Sequence, residues 1–416
     1  MNGIDLAQLF PAIASFFQID PTIAIARIAL IFIGAVLTWT GYKRITEPLI
    51  LVPMGLGMIF VNTAQFVLPA YPPFPAMYGN PHLAPLVGTN ITNPVMSATE
   101  QMVASTLYWL QPVYVLTFLN GAIACFVFIG IGAMTDLDFL MAKPFTSFFL
   151  AAFAELGTIL TFPLAVMMGF SFNDAASIAI IGGADGPMVL FTSLKLSPQL
   201  FVPITVVAYL YLSILYLFQG KLSALTIPRK MRAVRMAPTD IRRVSPREKI
   251  LFDIIAGGIL SLLFPVASPL IASFFIGNVL KEAQIERLKK FADEFLLNGS
   301  TFFLGLMLGI LVTPSVILDP KVVNLLILGI TALVLSSLGG SLGGILMYYI
   351  SKGKVNALLG PAGVSCVPTT AKIAQKEAQK LDRRNYIIYH AMGPNVAGVI
   401  TTAILSAIYM TIVPLL

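Results

Sequence analysis

The chain has 416 residues, 57% of them hydrophobic and only 11% charged, with a mean hydropathy of +0.88. Soluble domains carry about 25% charged residues, so this composition excludes a soluble enzyme and a disordered chain and requires an all-α polytopic membrane protein. Nine of its 26 Lys and Arg fall between Lys221 and Lys249 against two acids, a stretch too short for a nucleic-acid-binding domain, so the formal charge of +7 reads as an orientation signal rather than a nucleic-acid surface.

At about 20 apolar residues per crossing, the length allows about ten spans. Residues 1–20 read as an N-terminal interfacial segment; Asp5 and Asp20 precede the first basic residue, Arg27, which is the wrong opening for a signal peptide. The first membrane half covers 21–219. Its spans are expected at Thr22–Tyr42, closed by the cytoplasmic Lys43 and Arg44, then Pro48–Leu68, Thr106–Ala133, Phe145–Gly169 and Gln199–Phe218. Between them, Pro69–Ser105 holds seven prolines and no basic residue, which excludes a continuous helix and puts it outside. The basic cytoplasmic loop is 220–249. The second half, 250–416, is expected to place spans at Ile250–Ile276, Phe295–Val312, Val322–Ile350 and Tyr386–Val413. Pro265 and Pro269 can split the first of these into a hairpin or two half-spans, and the four basic and four acidic residues of Lys281–Glu294 give no orientation.

Two apolar stretches are wrong for plain spans. Residues 175–193 (AASIAIIGGADGPMVLFTS) and 356–372 (NALLGPAGVSCVPTTAK) are short and interrupted centrally by Gly and Pro, one in each half. Such a pair is the signature of an inverted-repeat transporter with its site at mid-membrane, here an elevator-like architecture with two broken re-entrant hairpins. A third break is expected at 390–398, HAMGPNVAG.

Asp185, inside GGADGP, carries the chemistry. A mid-membrane carboxylate costs at least ~2.5–3.5 kcal/mol, which a cation shared with backbone carbonyls offsets. Carboxylate and carbonyl oxygens form a hard set suited to an alkali ion. Asn395 offers an amide oxygen at the next break, and Asn356, Gly360 and Ser365 lie in the second interrupted stretch. Glu155 needs a partner, with Arg27 and Lys195 as candidates. Tyr209 and Tyr211 follow the first hairpin, and Asp136 and Asp138 read as solvated carboxylates at a span end. Cys125 and Cys366, with only His82 and His390, provide no disulfide framework or metal spacing. No Walker A or GxGxxG loop is present, which argues against an ATP-driven pump.

The motifs GIGAMTD (130–136), GGADGP (182–187), GPAGVS (360–365) and HAMGPNVAG together resemble the beta subunits of sodium-ion-translocating, biotin-dependent decarboxylases. These are the membrane subunits of the oxaloacetate, methylmalonyl-CoA, glutaconyl-CoA and malonate enzymes. The similarity runs from about Gly41 to the C-terminus. It implies a membrane subunit that decarboxylates carboxybiotin delivered on a partner and couples this to Na+ export, in a prokaryotic inner cell membrane. The implied partners are an alpha-type carboxyltransferase and biotin-carrier subunit and a small gamma-type membrane subunit, in a homo-oligomeric assembly. Carried over by motif, Asp185 and Asn395 are the sodium ligands. Asn356, Gly360, Ser365 and Lys372 serve carboxybiotin binding, and Tyr211, Ser365 and Lys372 the decarboxylation. Lys372 keeps the charge of the arginine found in oxaloacetate-type members, and Met188 replaces the Thr of GGADGPT, so no hydroxyl ligand is available there. The rival function is a stand-alone secondary transporter, either a sodium/carboxylate symporter or a cation/proton antiporter.

Overall fold

Prolines open several of the helices, because a first-turn residue needs no N–H and Pro is already near helical φ. Helix α1 (Pro21–Tyr42) starts behind Asp20, whose carboxylate accepts the Thr22 N–H at 2.7 Å. Helix α2 is Pro48–Ala64, α3 Ala122–Met134, and α4 Pro144–Met167, jointed at Glu155. Two half-helices follow, α5 (Phe172–Ala179) and α6 (Gly186–Leu196), then α7 (Phe201–Thr226). Helix α8 (Pro246–Leu263) begins in a reciprocal cap between Ser245 and Glu248; α9 is Ser268–Glu282, α10 Glu286–Leu311 and α11 Pro320–Ile350. Helices α12 (Thr369–Leu381) and α13 (Ile388–Ile412) complete the order. The computed structural model describes residues 11–44, 47–64, 113–118, 120–236 and 244–416, and every regular element in them is helical.

Among the described residues, five helices are long and apolar enough to cross a membrane: α1, α4, α10, α11 and Ile388–Leu415. The described residues divide into two compact units. One takes those within Met1–Ile123 and Ser300–Val323, the other those within Ala124–Gly299 and Asn324–Leu416, so each draws on both sides of the basic loop. In the first unit, glycines let α1 and α2 close on each other: a Cβ on Gly55 would lie 2.5 Å from the Gly34 carbonyl oxygen. Arg27 is fully buried there. Its guanidinium donates to the Asn62 and Thr63 carbonyls and to Ser15, with the Phe16 ring 3.9 Å away.

The second unit contains both interrupted stretches. In the first, α5 gives way to a tight turn at Ile180–Gly183, Ala184 takes a left-handed φ of 57°, and α6 starts at Gly186. In the second, two single turns, Ala357–Leu359 and Pro361–Gly363, precede α12. Its floor is an apolar core that includes Leu150, Ile227, Met347, Leu358, Ala371 and Ile387.

One expectation differs. The third break is not there: α13 runs unbroken through 390–398 with Pro394 inside it. Pro394 removes one helical N–H, but the residues on both sides of it are buried, Gly393 close on the Ser147 side chain and the Phe139 carbonyl and Asn395 fully enclosed, so packing keeps the helix whole. The run Ile250–Ile276 is split as its prolines allowed, into α8 and α9 divided at Pro265–Ala267. The proline-rich 69–105 stretch lies outside the described residues.

Candidate functional site

The first two glycines of GGADGP let one backbone turn sit between two helices. A Cβ on Gly182 would lie 2.5 Å from the Thr158 nitrogen, and one on Gly183 would lie 2.4 Å from Thr402 Cγ2. Ala184 then reverses the chain in a conformation that costs an L-residue about 1–2 kcal/mol. This delivers Asp185 to the N-cap of α6, where its Oδ1 accepts the Met188 N–H at 3.2 Å. The positive end of α6 therefore faces the carboxylate. Its other oxygen accepts from Ser365 Oγ at 3.0 Å, while the Ser365 N–H donates to the Gly183 carbonyl at 3.1 Å. One residue thus ties the two interrupted stretches together. Asp185 is 5% exposed, and among the described residues no basic side chain is within ion-pair distance.

Asn395, on α13, is fully buried. Its Nδ2 donates to the Ala362 and Val364 carbonyls, both at 3.0 Å, and to Thr370 Oγ1 at 2.8 Å. These bonds leave the amide oxygen without a donor among the described residues. Because Val364 precedes Ser365, the bonds that fix Asn395 and those that fix Asp185 run through adjacent residues. A carboxylate with spare lone pairs and an amide oxygen with no donor form an acceptor-only set, which suits a hard monovalent cation.

The structure also brings in Tyr209, which the family motifs did not single out. A Cβ on Gly186 would lie 2.4 Å from the Tyr209 ring, so this phenol covers the residue next to Asp185. Tyr211 faces elsewhere: its hydroxyl donates to the Leu326 carbonyl at 2.9 Å and its ring lies against Gly329. Glu155 pairs with neither Arg27 nor Lys195. It is 3% exposed and accepts from Thr158 at 2.7 Å and from Thr402, with Thr401 at 3.5 Å. Hydroxyls from its own helix and from α13 do what a cation was expected to do.

The remaining residues carried over by motif share no hydrogen bond with Asp185 among the described residues. Asn356 is a buried brace whose Nδ2 donates to the Arg232 and Val234 carbonyls, both at 2.8 Å, and whose Oδ1 caps Leu358. Gly360 permits contact with α11, since a Cβ there would fall 1.9 Å from the Gly340 carbonyl oxygen. Lys372 is exposed in the first turn of α12, two residues beyond the Thr370 that holds Asn395.

The span-end carboxylates are not simply solvated. Lys249 Nζ lies 3.2 Å from Asp136, 3.1 Å from Asp138 and 3.3 Å from Glu282, and Lys281 adds contacts of 4.0 Å to Asp136 and 3.4 Å to Glu282. Burial opposes ionisation of Asp136, but the Asp138 N–H with Lys281 and Lys249 outweighs it and holds that carboxyl below its ordinary value.

Comparison with known proteins gives a consistent result. The chain is 48% identical to the carboxybiotin decarboxylase of Malonomonas rubra over 98% of both chains. It is 34% identical to the methylmalonyl-CoA decarboxylase subunit beta of Propionigenium modestum, over 92% of this chain and 94% of that one. It is 33% identical to the oxaloacetate decarboxylase beta chain of Haemophilus ducreyi, over 93% and 95%. Residues 26–413 match the family model described as the Na+-transporting oxaloacetate decarboxylase beta subunit, and the chain belongs to that family.

Proposed function

We propose that this chain binds Na+ between the Asp185 carboxylate and the Asn395 amide oxygen and couples its export to decarboxylation of carboxybiotin presented by a partner subunit. The observation that carries the reading is Asn395 Oδ1, buried and without a donor among the described residues, held beside the segment that grips Asp185. A sodium ion there neutralises the aspartate and takes up the orphaned acceptor together. The family supports the cargo and the reaction; the acceptor set supports the seat.

In this reading the carboxylate of carboxybiotin lies near Ser365, with Lys372 at the rim supplying a positive charge. Loss of CO2 leaves the biotin nitrogen needing a proton, and Tyr209 is better sited to deliver it than Tyr211, whose hydroxyl already serves the Leu326 carbonyl. Asn356 and Gly360 act one step back by fixing the segment that carries Ser365. Moving one charge against 100 mV requires about 2.3 kcal/mol, within reach of an activated carbamate. Two units that each draw on both halves of the chain are compatible with intertwined inverted repeats and an elevator movement. The natural setting is a prokaryotic inner membrane, in a homo-oligomeric complex with an alpha-type carboxyltransferase and biotin-carrier subunit and a small gamma-type subunit.

The test is CO2 release from carboxybiotin by the complex in liposomes, with and without sodium. Asp185→Asn removes a charge-assisted contact of ~1.5–3 kcal/mol, so the sodium requirement should shift by ten- to a hundredfold or the response vanish, with assembly unchanged. Normal sodium-dependent turnover in that variant sinks the seat. Sodium flux without CO2 release in the native protein would make it a secondary transporter instead.

A further inference from the structure

The GIGAMTD motif has no part in the proposed sodium seat, and close to it in the fold are buried oxygens that meet no donor among the described residues. Helices α8 and α9 run antiparallel, and Lys249 on α8 meets Glu282 on α9 at 3.3 Å. One helical turn further along the same face of α8 is Asp253; one turn back along the same face of α9 is Asn278. Antiparallel helices that touch at Lys249 and Glu282 therefore bring Asp253 level with Asn278. The next turn keeps the register, with Gly257 against the Phe275 ring.

Asp253 is 1% exposed, and neither of its carboxyl oxygens meets a donor among the described residues. Asn278 is fully buried. Its Nδ2 donates to the Gly132 carbonyl at 3.2 Å and the Thr135 carbonyl at 2.9 Å, leaving Oδ1 without a donor among the described residues. Both carbonyls belong to GIGAMTD, and Gly132 is what lets α3 approach: a Cβ there would lie 2.0 Å from the Phe274 carbonyl oxygen. The arrangement repeats that of Asn395, a buried amide whose nitrogen donates to two carbonyls and whose oxygen has no donor among the described residues.

The charged groups facing Asp253 are Lys249 on its own helix, Lys281 and Glu282 on α9, and behind them Asp136 and Asp138 after α3. Four carboxylates share two ammonium groups. A carboxylate with no donor is not tolerated at this burial, whereas a carboxylic acid opposite a free amide oxygen is well placed. A proton fits better than a metal ion. The Thr135 carbonyl already accepts from Lys281 as well as from Asn278, so it has no lone pair left for a metal, and the two ammonium groups repel a second fixed cation.

We propose that Asp253 is a proton-binding site, its carboxylic O–H donating to Asn278 Oδ1, loaded through the carboxylate–lysine network and discharged when turnover consumes a proton. The reaction part rests on the proposed function: carboxybiotin plus one H+ yields biotin, with an N–H in place of the N–C bond, and CO2.

Two measurements test it on the full-length chain in its complex. Infrared difference spectra between acid and alkaline pH should contain a protonated-carboxyl C=O band that Asp253→Asn removes and Asn278→Leu moves to higher frequency. In liposomes, Asp253→Asn should keep its sodium requirement but turn over about tenfold more slowly at alkaline pH, where free protons are scarce, and less than that at acid pH. A D253N spectrum that loses no band, or turnover equal to the native protein at every pH, overturns the proposal. So does a band that sodium abolishes at constant pH, which would make this a metal site. If D253N does not fold, Asn278→Leu decides, and an unmoved band is the overturning result. The infrared arm needs no carboxybiotin, so a native complex that releases no CO2 yet loses the band in D253N refutes the proposed function and leaves the proton site standing.

Discussion

Tyr209 and Tyr211 are two residues apart on α7, which turns their side chains about 200° from each other, so only one can cover Asp185. Tyr209 does so by lying on Gly186; Tyr211 ties α7 to α11 through the Leu326 carbonyl. Tyr209→Phe should therefore slow sodium-dependent CO2 release and change its pH profile. Tyr211→Phe should instead lower thermal stability by about 1 kcal/mol, the worth of one buried hydrogen bond, and leave the profile in place. Rates against pH for both variants, with melting curves, separate the two roles; the reverse pattern would return the proton delivery to Tyr211. Asp185, Ser365 and Asn395 stood out as candidates in the sequence because a polar group in an apolar run beside Gly and Pro has few uses. The phase of α7 was not legible there, since a helix apolar on all sides gives no sign of which face looks inward. Nor were the unpartnered oxygens of Asp253 and Asn278, because burial and hydrogen-bond partners are set by how α3, α8 and α9 pack.

The interrupted stretches show what glycine does at the scale of an element. The segment that carries Ser365 rests directly on the backbone of α11: Gly360 lies against the Gly340 carbonyl, and a Cβ on Gly344 would fall 2.0 Å from the Ala357 carbonyl oxygen. Backbone against backbone has no side chain that can yield. Gly360→Ala should thus cost about 1–3 kcal/mol through overpacking and displace Ser365 from Asp185. Gly258, in α8, has open space where a Cβ would go, and Gly258→Ala should be neutral or stabilising by up to about 1 kcal/mol. Thermal unfolding of both variants in detergent, with sodium-dependent turnover, checks the contrast; equal melting would mean the close approach carries no constraint. The same physics explains which breaks the sequence revealed. Gly-Gly-Ala-Asp-Gly-Pro and Gly-Pro-Ala-Gly interrupt helices because several residues in a row favour a turn. Gly393-Pro394 did not interrupt α13, since one missing N–H is a local loss that packing on both sides of it can outweigh.

Across the whole molecule, charge is sorted by how it is compensated. Glu155 and Asp185 are held by hydroxyl and backbone donors, whereas the carboxylates at the end of the α8–α9 pair meet lysines. The basic segment is similarly anchored: its Val234 carbonyl accepts from Asn356 and Asn385, and Arg235 pairs with Asp382, whose carboxyl that guanidinium holds below its ordinary value. Composition made the basic excess visible but not these pairings, because the sign of a charge is local while its partner is set by the fold. Acid should therefore act on the paired groups first. Asp136 is depressed in the folded protein, so its contribution is complete above the ordinary aspartate value near 4 and is lost as pH falls through the lower folded value. Asp136→Asn, with no charge to lose, should flatten the acid limb of melting temperature against pH and converge on the native curve at the lowest pH. At neutral pH it should melt below the native protein, by a small margin because 39% of that side chain is exposed and solvent screens the pair. Melting curves from pH 7 to 3 on both proteins decide it. Parallel limbs would show that Lys249 and Lys281 hold the α8–α9 pair through Asp138 and Glu282 without help from Asp136.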